Sequence, residues 1–122
     1  IHGHSYELFV TLIGNPSKDQ DSPKYGMIMD FKDLKALVKK NVTDRYDHAL
    51  LISDNHEPEV IKSLKSSFEK VVITPFQPTS ENLIQEIAQT IIAILPKDIA
   101  LHNLKLRETA TAYAEWFAED NP

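Results

Sequence analysis

His2 and His4 stand two residues apart in a chain of 122 residues. Side chains alternate along a strand, so on one strand both imidazoles would face the same side. Two neutral imidazoles presented together suit Zn²⁺, which at catalytic sites takes three protein ligands and keeps a fourth position open. A His-x-His pair also arises often by chance, so exposed histidines or the remnant of a tag form the competing reading. Two ligands do not complete a site, and His48, His56 and His102 have no obvious spacing partner. Asp47-His48 offers a second chemistry. An acid beside a histidine can orient it and stabilise its charge for proton transfer. Adjacent residues seldom hydrogen-bond each other directly, and a helix-terminal histidine next to a solvated aspartate is the plainer reading.

Glu108 shares the parity of Leu104 and Leu106, whereas Lys105, Arg107 and Thr109 share the other. A carboxylate on an inward face must be paired or used, because an unpaired buried charge is costly. One use is bidentate recognition of an amidine-like N–H pair, as on a guanine or pterin ring. The alternative is a strand-end glutamate that turns to solvent where the sheet stops. Thr79-Ser80-Glu81-Asn82 is accounted for as a helix cap, although free N–H groups and hydroxyls at a helix start also suit a polar ligand. Tyr113, Trp116 and Phe117 fit a core or subunit interface better than a stacking platform.

The elements that must position these groups follow from periodicity. From His2 to Ile13 the even positions His2, His4, Tyr6, Leu8, Val10 and Leu12 share one side, which predicts a long strand with one face buried. Gly14 to Ser17 ends it, and the polar run Lys18 to Lys24 is a surface loop. Asp30 is an N-cap for a helix to about Val42, with Phe31, Leu34, Leu37 and Val38 as its stripe. Ala49 to Ile52 is a short apolar patch. A second helix starts at Pro58 with Val60, Ile61, Leu64 and Phe68 on one face. Val71 to Phe76 is a short strand. Thr79-Ser80-Glu81 opens the strongest helix, whose face carries Leu83, Ile84, Ile87, Ala88, Ile91, Ile92 and Leu95 and which ends at Pro96. Leu101 to Glu108 and Ala112 to Ala118 are closing strands. The result is an α+β layer, with helices on one face of an antiparallel sheet whose open edges invite oligomerisation.

Composition narrows the function classes. Acidic residues outnumber basic ones 18 to 13, for a formal charge of −5, which argues against a nucleic-acid-binding face. No apolar run approaches the roughly 18 to 20 residues of a membrane span, and nothing at the start resembles a signal peptide, so a cytoplasmic protein is expected. The sequence contains no cysteine. It begins at Ile1, directly before His2-Gly3-His4, and the expectation is a single domain over 1–122 whose N-terminal strand is missing.

In order, His2-Gly3-His4-Ser5-Tyr6, Gly26-Met27-Ile28-Met29-Asp30-Phe31-Lys32-Asp33-Leu34-Lys35, Asp47-His48-Ala49-Leu50-Leu51, Pro78-Thr79-Ser80-Glu81-Asn82-Leu83 and Arg107-Glu108-Thr109 resemble the 6-pyruvoyl-tetrahydropterin synthase / 6-carboxy-tetrahydropterin synthase family. The resemblance covers essentially the whole chain. It implies a tunnelling fold (T-fold), whose hairpins join across subunits into a barrel, commonly a homohexamer built from two trimers. It also implies that His2 and His4 are two of three zinc ligands. The third ligand, a histidine, and the family's catalytic cysteine would precede Ile1. Asp47 and His48 match the family's proton-transfer pair, Glu108 its pterin-anchoring carboxylate, and Thr79 and Ser80 hydroxyls lining the pterin pocket. The activity implied is zinc-dependent conversion of 7,8-dihydroneopterin triphosphate to 6-carboxy-5,6,7,8-tetrahydropterin, the queuosine-pathway lyase. The alternatives are 6-pyruvoyl-tetrahydropterin synthase, a branch that releases a hydroxymethyl-dihydropterin, and a non-catalytic T-fold oligomer that binds a pterin or purine.

Overall fold

A computed structural model describes residues 3–122 of the protein. Strand β1 (Glu7–Ile13) alternates as its sequence dictates, with Leu8, Val10 and Leu12 turned to the core and Glu7, Phe9, Thr11 and Ile13 outward. It begins later than its parity predicts. Residues 3–6 lie before the strand, so His4 precedes the ladder, and His2 lies outside the described residues.

Asp30 caps α1 (Phe31–Val38) as expected, its carboxylate accepting the Lys32 N–H at 2.8 Å. The helical path does not stop near Val42. It continues through a π-helical turn, Lys39–Thr43, into the short α2 (Asp44–Tyr46). The wider turn rotates Val42 inward, where it is 5% exposed, and that packing carries the helix past its periodic end. Phe31, placed in the apolar stripe by spacing, is instead 87% exposed and rims an open groove beside β1.

The apolar patch after His48 is a strand, β2 (Leu50–Ser53), and it runs parallel to β3 (Val71–Thr74). The fold therefore contains a second, two-stranded sheet where a single antiparallel sheet was expected. A parallel pair needs a crossover, and α3 (Pro58–Ser67), with proline in its first turn, supplies it.

Helix α4 (Ser80–Ile94) provides most of the core. Thr79 Oγ1 accepts the Asn82 N–H at 3.2 Å, and Leu83, Ile84, Ile87, Ala88 and Ile91 are buried against β4 (Ala100–Arg107) and β5 (Tyr113–Phe117). Burying each of the leucine and isoleucine side chains contributes about 1.5–3 kcal/mol. Ile92, assigned to that face by spacing, is 46% exposed. The main sheet has the order β1-β4-β5, antiparallel throughout. A bulge opposite Thr11 and Leu12 lets Leu101 and Leu104, three apart, both face the core, and beyond it Leu104 and Leu106 alternate inward. Trp116 is buried, whereas Tyr113 and Phe117 lie on the outer face. No helix among the described residues is long and apolar enough to cross a membrane.

Candidate active site

The last β1/β4 pair is Glu7 with Arg107, so Tyr6 and Glu108 leave the ladder side by side. The Glu108 N–H is held by the Ala112 carbonyl at 2.9 Å, which fixes the carboxylate at the root of the β4–β5 hairpin. Its inward parity brings it to the start of α4. There Ser80 Oγ donates to Oε2 at 3.2 Å, while His4 Nε2 lies 3.0 Å from Oε1. Both carboxylate oxygens are thus engaged, in a position only 29% exposed. The carboxylate is therefore paired inside the fold rather than turned to solvent.

Tyr6 completes the cluster. Its ring meets that of His4 edge-on with centroids 5.8 Å apart. Burial and the neighbouring Glu108 charge raise its phenol above the ordinary tyrosine range, with the Ser80 hydroxyl pulling the other way. Sequence reasoning placed Tyr6 on the inward parity without giving it a site. The signal available was its two-residue offset from His4.

These groups open on a cleft of about 950 Å³, lined by His4, Tyr6, Tyr46, Asp47, His48, Pro78, Leu83, Leu106 and Glu108 among others. The Asp47-His48 pair, distant in sequence, therefore shares one cavity with His4 and Glu108. Contrary to the expectation for adjacent residues, His48 Nδ1 lies 3.0 Å from Asp47 Oδ1. The contact is possible because His48 adopts φ = 57°, in the left-handed region, which folds its side chain back toward its neighbour. For a non-glycine residue that conformation costs about 1–2 kcal/mol, a cost characteristic of functional turns. The imidazole itself is 91% exposed.

Tyr46, just before this pair, donates its hydroxyl to Glu86 Oε1 on α4, and Arg45 reaches the same oxygen at 3.3 Å. Burial, then the bond to Glu86 and its charge, holds the Tyr46 phenol far above the ordinary range, so it remains a donor. Thr79 stands apart from the cleft, its oxygen committed to the helix cap. Among the described residues no three His, Asp or Glu side chains stand together as a metal-holding group. His4 supplies a donor of the right chemistry, and His2 lies outside the described residues.

A family model described as 6-pyruvoyl tetrahydropterin synthase matches residues 1–119. The chain belongs to that family. Among its relatives, the 6-carboxy-5,6,7,8-tetrahydropterin synthase of Haemophilus influenzae is 34% identical over 120 residues, covering 95% of this chain and 81% of that protein. The Aquifex aeolicus protein of the same name is 32% identical over 128 residues, covering 98% and 75%. The 6-pyruvoyl tetrahydrobiopterin synthase of Dictyostelium discoideum is 31% identical over 86 residues, covering 70% and 60%. An uncharacterized protein of Wolinella succinogenes, whose crystal structure is known, shares the fold with a TM-score of 0.62 at 16% identity, over 94% of this chain and 97% of that one.

Proposed function

We propose that this enzyme converts 7,8-dihydroneopterin triphosphate to 6-carboxy-5,6,7,8-tetrahydropterin, as the queuosine-pathway lyase, with the cleft beside Glu108 as its site. The observation that carries the reading is the convergence of Glu108, His4 and the Asp47-His48 turn on one cavity, with Ser80 bonded to the Glu108 carboxylate behind it. The names of the relatives support the carboxy branch.

Glu108 anchors the ring. A bidentate ligand takes both carboxylate oxygens, so the two ring N–H groups replace His4 on Oε1 and Ser80 on Oε2. Ser80 keeps Glu108 oriented in the empty cleft. Tyr6, beside His4, walls the cleft and limits the water that competes for the carboxylate. Thr79 secures the helix start from which Ser80 projects, and in the assembled oligomer it lines the pocket with Ser80.

Asp47 and His48 move protons. With Nδ1 directed to Asp47, Nε2 of His48 is left for the substrate, and Asp47 stabilises the imidazolium formed when a carbon-bound proton of the substrate is taken. Loss of triphosphate from the neighbouring carbon completes an elimination; addition of water and cleavage of the bond between the first and second side-chain carbons then leave the first as the carboxylate, the other two departing as acetaldehyde. The proton on His48 returns to the ring or to its substituent.

Zinc is the proposed cofactor, held by His2 and His4. The described residues hold one imidazole of that set, so a three-ligand site draws on donors outside them. When bound, such an ion supplies Lewis acidity toward the hydroxyl and carbonyl oxygens of the substrate.

The working form is proposed to be a cytoplasmic homohexamer of two trimers, with the barrel closing through the open edges of β1 and β5. A groove of about 390 Å³ lined by Leu8, Val10, Leu34 and Val38 lies between β1 and α1. A second reading, 6-pyruvoyl-tetrahydropterin synthase, is favoured by the name of the Dictyostelium relative. Incubation of zinc-loaded protein with 7,8-dihydroneopterin triphosphate, followed by mass analysis, separates the carboxy, pyruvoyl and hydroxymethyl products. Recovery of unchanged substrate would leave only pterin binding.

A further inference from the structure

Lys70 lies between α3 and β3, outside the cluster around Glu108. Its backbone carbonyl accepts the Leu50 N–H at 2.9 Å. Its ammonium donates to the carbonyl of Asp47 at 2.9 Å and also to that of Asp44. One residue therefore grips the backbone on both sides of His48: two carbonyls before it and one N–H after it.

His48 needs such a grip. It is the non-glycine residue with positive φ among the described residues, and its exposed ring provides no packing to hold the turn. An ammonium group satisfies several carbonyls at the end of a helical segment, where free C=O groups gather and a cation is favoured. On the opposite side, the Ala49 N–H reaches the Tyr46 carbonyl at 3.0 Å, and the Tyr46 hydroxyl ties that residue to Glu86 of α4. The turn is thus fixed from the β2–β3 side by Lys70 and from the α4 side by Tyr46.

We propose that Lys70 is a positioning residue for His48, holding the left-handed Asp47-His48 turn so that the imidazole faces the cleft. The inference rests on the proton-transfer reading of His48. Misplacing a catalytic group by about 1 Å can cost on the order of a hundredfold in rate. Lys70→Met, which keeps the stem and removes the donors, should therefore lower kcat by about tenfold to a hundredfold, with KM within about threefold. Lys70→Arg, which can still donate to both carbonyls, should recover most of that loss.

The test measures kcat and KM for wild type, Lys70→Met, Lys70→Arg, His48→Ala and the Lys70→Met/His48→Ala double variant. It adds hydrogen exchange at the Asp47, Ala49 and Leu50 amides. Lys70→Met should speed exchange there while the melting transition stays cooperative, and it should cost no further turnover once His48 is alanine. Unchanged amide protection in Lys70→Met overturns the clamp whatever the kinetics show. An impaired His48→Ala beside a normal Lys70→Met, or an equal loss from Lys70→Met in both backgrounds, overturns the positioning role alone. Normal turnover in His48→Ala removes the proton-transfer reading beneath it, and the inference with it.

Discussion

Replacing Glu108 by glutamine keeps the side-chain shape while removing the charge and turning one acceptor oxygen into a donor. In the free protein Oε1 faces His4 at 3.0 Å and Oε2 accepts from Ser80 at 3.2 Å. With a pterin bound, the same two oxygens would face two ring N–H groups. The variant loses one charge-assisted hydrogen bond in the complex, about 1.5–3 kcal/mol, and sets an amide NH₂ against a ring N–H. Against this, it also loses contacts of the free state, which for a carboxylate 29% exposed are worth about 0–1 kcal/mol. The difference is about 2 kcal/mol, or roughly a thirtyfold rise in Kd. Isothermal titration with neopterin checks this, with circular dichroism melting as a control that should move by no more than a few degrees. A Kd within about threefold of wild type would falsify the anchor assignment, because no rearrangement of His4 and Ser80 could supply the lost anionic acceptor.

His48→Ala should reduce turnover by a factor on the order of 10²–10⁴ while neopterin affinity stays within about threefold, and unaltered steady-state kinetics would return His48 to a structural role. Thr79→Ala removes the cap on the Asn82 N–H and should destabilise the fold by about 1 kcal/mol in urea titration, and it should weaken pterin binding by the assembled protein by about fivefold, the worth of one hydrogen bond of about 1 kcal/mol. Unchanged affinity beside that loss of stability would confine Thr79 to the cap. Tyr46 has its pKa raised by burial and by Glu86, so the folded state keeps a proton that the unfolded state releases. The resulting stabilisation is complete below pH 10, the unperturbed value, and is lost as pH rises through the folded pKa. Wild type should therefore lose stability relative to Tyr46→Phe above pH 10, with a slope below about 1.4 kcal/mol per pH unit because solvent screens this partly buried site. Parallel stability curves for the two proteins in that range would contradict the Tyr46–Glu86 contact.

Much of this fold is legible in the residues because single-sided burial imposes a period. Leu8, Val10 and Leu12 in β1, and the α4 series from Leu83 to Ile91, announce their faces, and Asp30 and Thr79 announce their caps. Glu108 is readable for the same reason, as a carboxylate on an apolar parity whose partners Ser80 and His4 come from other elements. The parallel strand Leu50–Ser53 is not, since a four-residue apolar run has no period of its own and its partner lies beyond a helix. The π-helical turn at Lys39–Thr43 is set by the burial of Val42, a tertiary effect. The Asp47–His48 contact depends on one backbone dihedral, which composition does not encode when the residue is not glycine. Lys70 and Glu86 act on that turn from 23 and 40 residues away, through a backbone carbonyl and a phenol, and carry no local motif.

The central assignment is that a pterin occupies both oxygens of Glu108. The most direct measurement is a crystal structure of the protein with a bound pterin. The expected result is the two ring N–H groups on Oε1 and Oε2, with His4 turned away from the carboxylate and His48 facing the substituent at the pterin's reacting carbon. A pterin bound elsewhere, with the His4–Glu108 contact intact, would contradict it.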